Sequence, residues 1–549
     1  MSQQNHEGPG ANGARSQRRT SRGRGDRTER EGGQKNIRRD ARGRQRNRRT
    51  MDERQKSQLA PGQRRRTADP ARLCAFEVIN AVSTDDAYAN LVLPKAIRQH
   101  HLNHRDAAFA TELTYGTLRH QGTYDAILAR CMDRPLAKTD VQVVSALRLG
   151  THQLLGMRVP AHAALNSTVA LARAEIGAGP ASFINAVLRR VSERSEAQWR
   201  TEITEGASDE NERLGLEYSH PGWIVRAMKQ ALSAHGRDPE ELVDLLQADN
   251  VAPAVNLVAL PGLGDLGEAV AQGAREGDLV EGSAYYSAGD LSRLESVRSG
   301  TVRAQDAGSQ LVARALAQAP LQGPDRAWLD LCAGPGGKAA LLGALAVQRG
   351  GSLLANESSK HRAKLVESSL KPLPQNSFKV VTADGRKIAE TTAKASLLPE
   401  GMEAGQLFDR VMVDVPCSGL GALRRRPEAR WRKTPRDIAE LLPLQKELFE
   451  AAVQVTRPGG LIAYVTCSPH MAETQNIVMD ILRSNEVQLL DSGAALRAAG
   501  RVVDGESVLS GRRDPSRPLP DAGAEAMTAQ LWPHVHGTDA MFFALFRKK

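Results

Sequence analysis

Cysteine is scarce in this 549-residue chain, and no two cysteines form a Cys-x-x-Cys pair. The five that occur are Cys74, Cys131, Cys332, Cys417 and Cys467. Five scattered cysteines exclude a disulfide framework, and the missing pairs argue against a structural zinc site. We therefore predict a protein that binds no metal and whose cysteines are free thiols in a reducing cytoplasm.

Long apolar segments are missing as well. No stretch approaches the ~18 uninterrupted apolar residues that a membrane-spanning helix requires. The N-terminus is polar and Arg-rich, without the apolar segment of a secretory signal. These absences predict a cytoplasmic protein with no membrane partner. Hydrophobic residues make up 41% and charged residues 25% of the chain, which is typical of a soluble enzyme with two or three domains.

The positive charge is concentrated at one end. Residues 1–66 contain 20 Lys and Arg against 7 Asp and Glu, and the rest of the chain contains 54 against 56. A segment with so few apolar residues cannot offset its ordering entropy, so we predict that 1–66 is a disordered tail. Arginine interleaved with glycine and glutamine favours nonspecific contact with RNA phosphates over a solvated tail without a partner.

The remaining chain divides into three predicted regions. Apolar residues at helical spacing predict an all-α bundle over 67–195, with helix starts near Asp140 and Pro180. Residues 196–300 begin with a polar, charged connector to about 217 and continue as a small α+β unit. From 301 to 549, short apolar strands alternate with helices, which is typical of an α/β domain with a doubly wound, mostly parallel sheet.

The elements of that last region can be placed individually. A long helix is predicted to begin after Thr434, with Pro435 in its first turn. The predicted strands are 327–331, 353–356, 378–381, 408–415, 459–466 and 541–546.

A glycine-rich turn, Leu-Cys-Ala-Gly-Pro-Gly-Gly-Lys over 331–338, follows the first of these strands. It is not a phosphate loop, which would need glycine at Cys332 and Ser or Thr at Ala339. The next two strands are followed by Glu357 and Asp384. One such acid is as often a helix cap, but a glycine turn and two acids at three successive strand ends predict a nucleoside pocket. Without a phosphate loop, S-adenosylmethionine is the better ligand.

Two cysteines follow the next two strands. Cys417 lies three residues beyond Asp414 in Asp-Val-Pro-Cys, and Cys467 lies in Thr-Cys-Ser-Pro. Cysteine is usually a small buried hydrophobic residue, which is our prediction for Cys74, Cys131 and Cys332. A thiolate that attacks C6 of cytosine makes C5 able to accept a methyl group, so the pair predicts covalent pyrimidine methylation.

These motifs resemble a known family. LDLCAGPGGK, VMVDVPCSGLGALRRRPEARW and YVTCSPHMAE are similar to the motifs of the Fmu/Sun-type (RsmB-like) ribosomal RNA cytosine-C5 methyltransferases. Upstream, RDAAFATELTYGTLRHQGTYD and FINAVLRRV resemble the NusB-like RNA-binding domain fused to the bacterial members. The resemblance covers about 70–549. It implies a multidomain protein: a NusB-like bundle, a small α+β RNA-binding subdomain, and a Rossmann-like class I methyltransferase domain with a seven-stranded sheet.

The resemblance also implies roles for individual residues. Cys467 would be the nucleophile, Cys417 would assist product release, Asp414 would contact the cytosine edge, and Lys338 would lie beside Asp414. S-adenosylmethionine would meet the loop and the following strand ends, with Glu357 on the ribose and Asp384 near adenine. The cofactor-binding residues implied in this way are Cys332, Ala333, Gly334, Pro335, Gly336, Gly337, Lys338, Glu357, Arg362, Asp384 and Asp414.

Some positions depart from the family pattern: Gly334 and Ala339 stand where Ala and Thr are common, and Thr474 replaces an Asn. The target base must be in a loop or turned out of a duplex, because a stacked base shields its ring carbons. Three arginines just after the Pro-Cys motif, Arg424, Arg425 and Arg426, are predicted to hold RNA phosphates where the target base enters the site. The alternative is a solvated basic turn.

Alternatives stay open at this point. DNA cytosine methyltransferases use the Pro-Cys cysteine as nucleophile, so Cys417 could exchange roles with Cys467. The chain could also be an RNA-binding assembly or antitermination factor with an inactive methyltransferase fold. Amino-group methylation is disfavoured, since such enzymes typically need an Asn/Asp-Pro-Pro-aromatic strand end and no cysteine.

Overall fold

A computed structural model describes residues 68–287, 289–519 and 527–549 of the chain. The Arg-rich segment 1–66, predicted to contact RNA, lies outside these residues. Within the described ranges, no helix combines the length and the apolar character needed to cross a membrane, and no group of three His, Cys, Asp or Glu side chains is arranged to hold a metal ion.

The first described region is an all-α bundle, as predicted. Asp69 caps the first helix by accepting a hydrogen bond from the Arg72 N–H, and Asp140 caps the fifth helix at the predicted start. The apolar faces form two cores, one around Phe76, Leu147 and Leu188 and a smaller one among the first three helices around Val78 and Leu93. The helices are α1 Pro70–Thr84, α2 Ala89–Gln99, α3 His104–Arg119, α4 Gln121–Cys131, α5 Val141–Leu155, α6 Ala161–Glu175 and α7 Ala178–Val191.

The charged segment that follows is helical, so the predicted connector is wrong. It contains α8 Glu196–Thr204 and α9 Glu210–Tyr218. Ser195 begins α8 with a reciprocal capping box, and Trp199 and Ile203 extend the core of the bundle. With so few apolar residues among many charged ones, the helical pattern is hidden in the sequence.

An α+β unit comes next, as predicted. Two helices, α10 Gly222–Ala234 and α11 Leu242–Ala248, precede a four-stranded antiparallel sheet in the order β2-β3-β1-β4. Its strands are β1 Val255–Ala259, β2 Arg275–Glu276, β3 Ser283–Tyr286 and β4 Val302–Ala304, with the short helices α12 Gly267–Ala271 and α13 Glu295–Arg298.

The C-terminal region is the predicted Rossmann-like domain with a mixed sheet. Its strand order is β13-β14-β15-β9-β8-β5-β6-β7, with β10 paired to β15. This sheet thus has nine strands where the family resemblance implied seven, and segments of three residues such as β10 and β13 are too short to show a pattern in the sequence. The strands are β5 Ala327–Asp330, β6 Ser352–Asn356, β7 Phe378–Val381, β8 Phe408–Asp414, β9 Thr456–Thr466, β10 Val487–Leu489, β13 Ser516–Pro518, β14 Met527–Gln530 and β15 Phe542–Lys548, and a separate hairpin contains β11 Val502–Val503 and β12 Glu506–Ser507.

Helices cover both faces of this sheet. Along β5 and β8, alternate side chains enter two different apolar cores: Trp328 and Met412 enter one, and Leu329 and Val411 enter the other. Burial on both faces explains why these strands are almost continuously apolar. The helices are α14 Ala307–Gln318, α15 Gly337–Gln348, α16 Lys360–Leu370, α17 Ile388–Thr392, α18 Ala429–Arg432, α19 Pro435–Val455, α20 Gln475–Leu482, α21 Ser492–Ala499 and α22 Pro533–His536.

The strand order fixes where a ligand can bind. From β5 the chain builds outward to β6 and β7, then returns to β8 on the other side of β5 and continues to β9. All five of these strands are parallel. The order therefore reverses between β5 and β8, and ligands of open α/β sheets bind at the carboxyl ends of the strands beside such a reversal.

Candidate active site

A cavity of about 330 Å³ opens at this edge of the sheet. Most of the predicted site residues meet there although they are distant in sequence. Those that line the cavity are Cys332, Gly334, Glu357, Arg362, Asp384, Asp414, Cys417, Arg426 and Cys467. The other predicted residues of the glycine turn, namely Ala333, Pro335, Gly336, Gly337 and Lys338, do not line the cavity.

The backbone of the glycine turn passes close to the Glu357 carboxylate. Gly336 caps α15 with a φ of 104°, a conformation that L side chains rarely adopt. A Cβ at Gly334 would lie 2.1 Å from the Glu357 Oε2, so an alanine there would require the carboxylate to move. The missing side chain leaves the backbone of the turn open to a ligand beside the carboxylate.

The two strand-end acids line the cavity and also make local contacts. Glu357 is buried, and its Oε1 accepts a hydrogen bond from the Ser359 N–H at 2.8 Å and pairs with Arg362 at 2.7 Å. Asp384 caps the short turn that follows it and pairs with Arg386, whose hydrogen bonds lower the pKa of the Asp384 carboxyl. Both carboxylates can still present oxygens to the hydroxyl and amino groups of a nucleoside.

The two cysteine thiols lie side by side. The Sγ atoms of Cys417 and Cys467 are 3.3 Å apart, at the ends of the neighbouring parallel strands β8 and β9. The hydrogen bond from Cys417 lowers the pKa of Cys467, and the positive charge of Lys338 lowers it further against burial and the charge of Asp414. The same hydrogen bond and burial raise the pKa of Cys417. The two shifts have opposite directions, which favours ionisation of Cys467 before Cys417.

Lys338 and Asp414 form an ion pair beside the thiols, with 2.7 Å between Nζ and Oδ2. Burial alone would lower the pKa of Lys338, but the charge and hydrogen bond of Asp414 outweigh it, so that pKa is raised. The lysine therefore stays positive, pairs with the Asp414 carboxylate and favours ionisation of Cys467.

A buried carboxylate connects the two cysteine loops. Glu473 accepts hydrogen bonds from the Ser418 N–H at 2.7 Å and from the Ser468 hydroxyl at 2.7 Å. Thr474, the departure from the family pattern, donates its hydroxyl proton to the His470 carbonyl at 3.0 Å, and the same oxygen lies 3.3 Å from the His235 Nε2 of a distant segment. Each of these serines is the residue after a cysteine, so Glu473 fixes the spacing of the two thiols.

The basic turn after the Pro-Cys motif needs correction. Arg424 is buried and donates to the Gly537 carbonyl, and Arg425 pairs with Asp306 at 2.6 Å and with Asp539 at 3.0 Å. These contacts occupy both guanidinium groups, so neither is free to hold phosphates as predicted. Only Arg426 is exposed and lines the cavity.

The remaining cysteines largely follow the prediction. Cys74 and Cys131 are buried, and burial raises the pKa of each thiol to about 11. Cys332 differs because it is only half-buried and lines the cavity, but burial of its thiol also raises its pKa well above the ordinary value. Cys332 is therefore suited to packing or to contacts through its backbone, and not to a reaction of its thiol.

Two cavity-region residues were missed by sequence reasoning. Asp330 ends β5 and is buried near Asp414, and burial followed by the charge of Asp414 raises its pKa to about 7. Its position at the start of the glycine motif could have identified Asp330 as a residue near the site. Tyr88 lines the same cavity from the helical bundle, and no pattern in the sequence connects it to residues more than 240 positions away.

The fold and the site together define a class I methyltransferase that uses S-adenosylmethionine. The family model described as 16S rRNA methyltransferase RsmB/F matches residues 317–547, and the NusB family model matches 69–193. The chain belongs to the RsmB/F methyltransferase family, with an N-terminal NusB-like domain.

Known proteins agree with this assignment over most of the chain. A putative methyltransferase of Mycobacterium tuberculosis is 45% identical over 491 residues, covering 89% of this chain and 98% of that protein. The probable ribosomal RNA small subunit methyltransferase B of Synechocystis is 30% identical, with coverage of 76% and 90%. The crystal structure of PH0851 shares the fold, with a TM-score of 0.67 at 21% identity and coverage of 87% and 99%.

Proposed function

We propose that the protein methylates C5 of a cytosine in RNA, with small-subunit ribosomal RNA as its substrate, through a covalent bond between Cys467 and C6. The observation that carries this proposal is the 3.3 Å contact between Cys417 and Cys467 in the cavity that Glu357, Asp384 and Asp414 also line. The name of the Synechocystis relative supports ribosomal RNA as the substrate class.

Within this proposal, the cofactor-binding residues hold S-adenosylmethionine, which supplies an electrophilic methyl group. Of the turn from Cys332 to Lys338, the cavity-lining residues Cys332 and Gly334 lie along it. Glu357 binds the ribose, and Asp384 lies near adenine. Arg362, paired to Glu357 at 2.7 Å, orients that carboxylate. An alanine at Gly334, where the family pattern commonly has one, would displace the Glu357 carboxylate, so glycine leaves more room beside the proposed ribose site.

The protein's own groups act on the cytosine in a defined order. The Cys467 thiolate bonds to C6, and the displaced electron pair makes C5 nucleophilic towards the methyl group. Asp414, held by Lys338, accepts a hydrogen bond from the exocyclic amino group. A base then removes the C5 proton, the C5–C6 double bond re-forms, and the bond from C6 to Cys467 breaks.

Cys417 is suited to be that base because its pKa depends on its neighbour. The largest cause of its raised pKa is the hydrogen bond to Cys467. Once Cys467 is bonded to C6 it carries no negative charge, so the pKa of Cys417 falls at the stage when a base is needed.

The test of the proposal is release of tritium from RNA that carries [5-³H]cytosine. C5 methylation must expel the C5 hydrogen, so tritium release should match methyl incorporation from S-adenosylmethionine one to one. Bisulfite sequencing of ribosomal RNA from a deletion strain should then show a cytosine that has lost protection. Methyl incorporation without tritium release would move the reaction to another atom. Absence of heat on titration with S-adenosylmethionine would favour an RNA-binding factor with an inactive fold.

Removing the charge of Lys338 should shift the pH dependence of this reaction. Because Lys338 lowers the pKa of Cys467, the variant Lys338→Met should raise that pKa and move the acidic limb of kcat/KM to higher pH. The measurement is the pH profile of kcat/KM for ribosomal RNA. Lys338→Arg keeps the charge and serves as control, with its acidic limb near that of the wild type. Identical pH profiles of kcat/KM for Lys338→Met and the wild type would contradict the electrostatic role of Lys338.

A further inference from the structure

The wall of the catalytic cavity includes one residue from the helical bundle. Tyr88, just before α2, is half-buried and lines the cavity together with Arg426 and Cys467. The Ala89 N–H beside it donates a hydrogen bond to the Glu428 carboxylate at 3.0 Å. The helical bundle is therefore part of the site and not only an appendage to it.

The position of Tyr88 is fixed by the segment that follows the Pro-Cys motif. The guanidinium carbon of Arg432 lies 5.0 Å from the centre of the Tyr88 ring. Arg432 itself is held by the main-chain carbonyls of Val82, Asp86 and Ala87. With its arginine neighbour anchored in this way, the ring does not need to be ordered by a ligand.

Arg426 lies near the same ring but is not anchored. Its guanidinium carbon is 5.5 Å from the centre of the Tyr88 ring. Its side chain is exposed, and it forms no ion pair with any residue that the structure describes. The mouth of the cavity thus offers an aromatic ring and a planar cation close together, and the cation is free to rearrange.

We propose that Tyr88 and Arg426 form a stacking platform for an unpaired base of the RNA substrate, which makes Tyr88 a positioning residue. This inference rests on the proposed function. Unstacked RNA bases are commonly bound on aromatic rings or arginine planes. A cytosine turned out of its stack also leaves a neighbouring base without a partner, and the platform would replace that partner.

Binding of a fluorescent 12-residue oligocytidylate to the full chain, with S-adenosylhomocysteine present, tests the platform. Tyr88→Ala should weaken binding about tenfold to a hundredfold, and Tyr88→Phe should bind like the wild type. The salt dependence should not change in Tyr88→Ala, because no charge is lost. Arg426→Gln also removes a positive charge beside the RNA backbone and should reduce the slope of log affinity against log salt by about one. Inorganic polyphosphate, which has no bases, should bind Tyr88→Ala and wild type equally.

Two further variants separate stacking from packing. Tyr88→Leu keeps an apolar side chain but removes the ring, so it should bind oligocytidylate as weakly as Tyr88→Ala. Tyr285→Ala is the matched control, since Tyr285 also lies under an arginine, Arg275, at 4.8 Å but does not line the cavity. It should bind normally. Wild-type affinity in Tyr88→Leu would overturn the proposal, as would an equal loss in Tyr285→Ala.

Steady-state kinetics distinguish a positioning role of Tyr88 from a purely structural role. In the tritium-release assay, Tyr88→Ala should raise KM for ribosomal RNA by about the factor seen in binding and leave kcat nearly unchanged. A fall in kcat at constant KM would overturn the positioning role. If the wild type releases no tritium at all, the proposed function fails, and the oligocytidylate measurements still decide whether Tyr88 stacks on a base.

Discussion

Cys467→Ala is expected to abolish methyl transfer, lowering kcat by at least about a thousandfold, because no other described thiol has a lowered pKa in the cavity. The loss should be confined to chemistry. The side chain that is removed lies across the cavity from the strand ends proposed to bind the nucleoside, so affinity for S-adenosylmethionine should stay within about twofold of the wild type. Methyl incorporation into ribosomal RNA and calorimetric titration of the cofactor measure the two quantities.

Cys332→Ala is the matched control for this result. Cys332 lines the same cavity, but burial raises its pKa and it is not proposed to react. The control should retain most of the activity. Methylation that persists in Cys467→Ala would assign the nucleophile to Cys417 and exchange the two roles.

Cys417→Ala should have the opposite phenotype and accumulate a covalent protein–RNA complex. Attack by Cys467 and methylation at C5 should still occur, but the base proposed to remove the C5 proton would be missing. The thioether to C6 would then persist. Denaturing electrophoresis after incubation with RNA and S-adenosylmethionine should show a slow-migrating band that ribonuclease removes.

The double variant Cys417→Ala/Cys467→Ala distinguishes this adduct from adventitious cross-linking. It should give no band, since the sulfur that bonds to C6 is gone. A band in the double variant would point to another nucleophile. If Cys417→Ala alone gives no band and turns over normally, the proposed role in release is wrong.

The parts of the site that depend on strand ends could be predicted from sequence. Parallel strands deliver their following residues to one edge, so the glycine turn, Glu357 and Cys467 could be placed together from the order of elements alone. The capped helix after Thr434 was predicted for a similar reason, since its reciprocal cap with Asp437 is entirely local.

What could not be predicted depends on contacts between distant segments. Arg424 and Arg425 were predicted to hold RNA phosphates, because nothing nearby in sequence reveals that Asp306 and Asp539 fold against them. Tyr88 was missed for the same reason. The helices at 196–218 were missed because their buried residues are too few to reveal a period among so many charges.

The junction between the bundle and the catalytic domain has a consequence for how the enzyme can move. Arg430 is fully buried and donates hydrogen bonds to the carbonyls of Arg119, Ser219 and Asp249. Separating the segment that contains Arg430 from these carbonyls would break the charge-assisted hydrogen bonds, which contribute about 1.5–3 kcal/mol each. We therefore expect the bundle and the catalytic domain to move as one body, so that under the proposed function RNA bound to the bundle would reach Cys467 at a fixed distance.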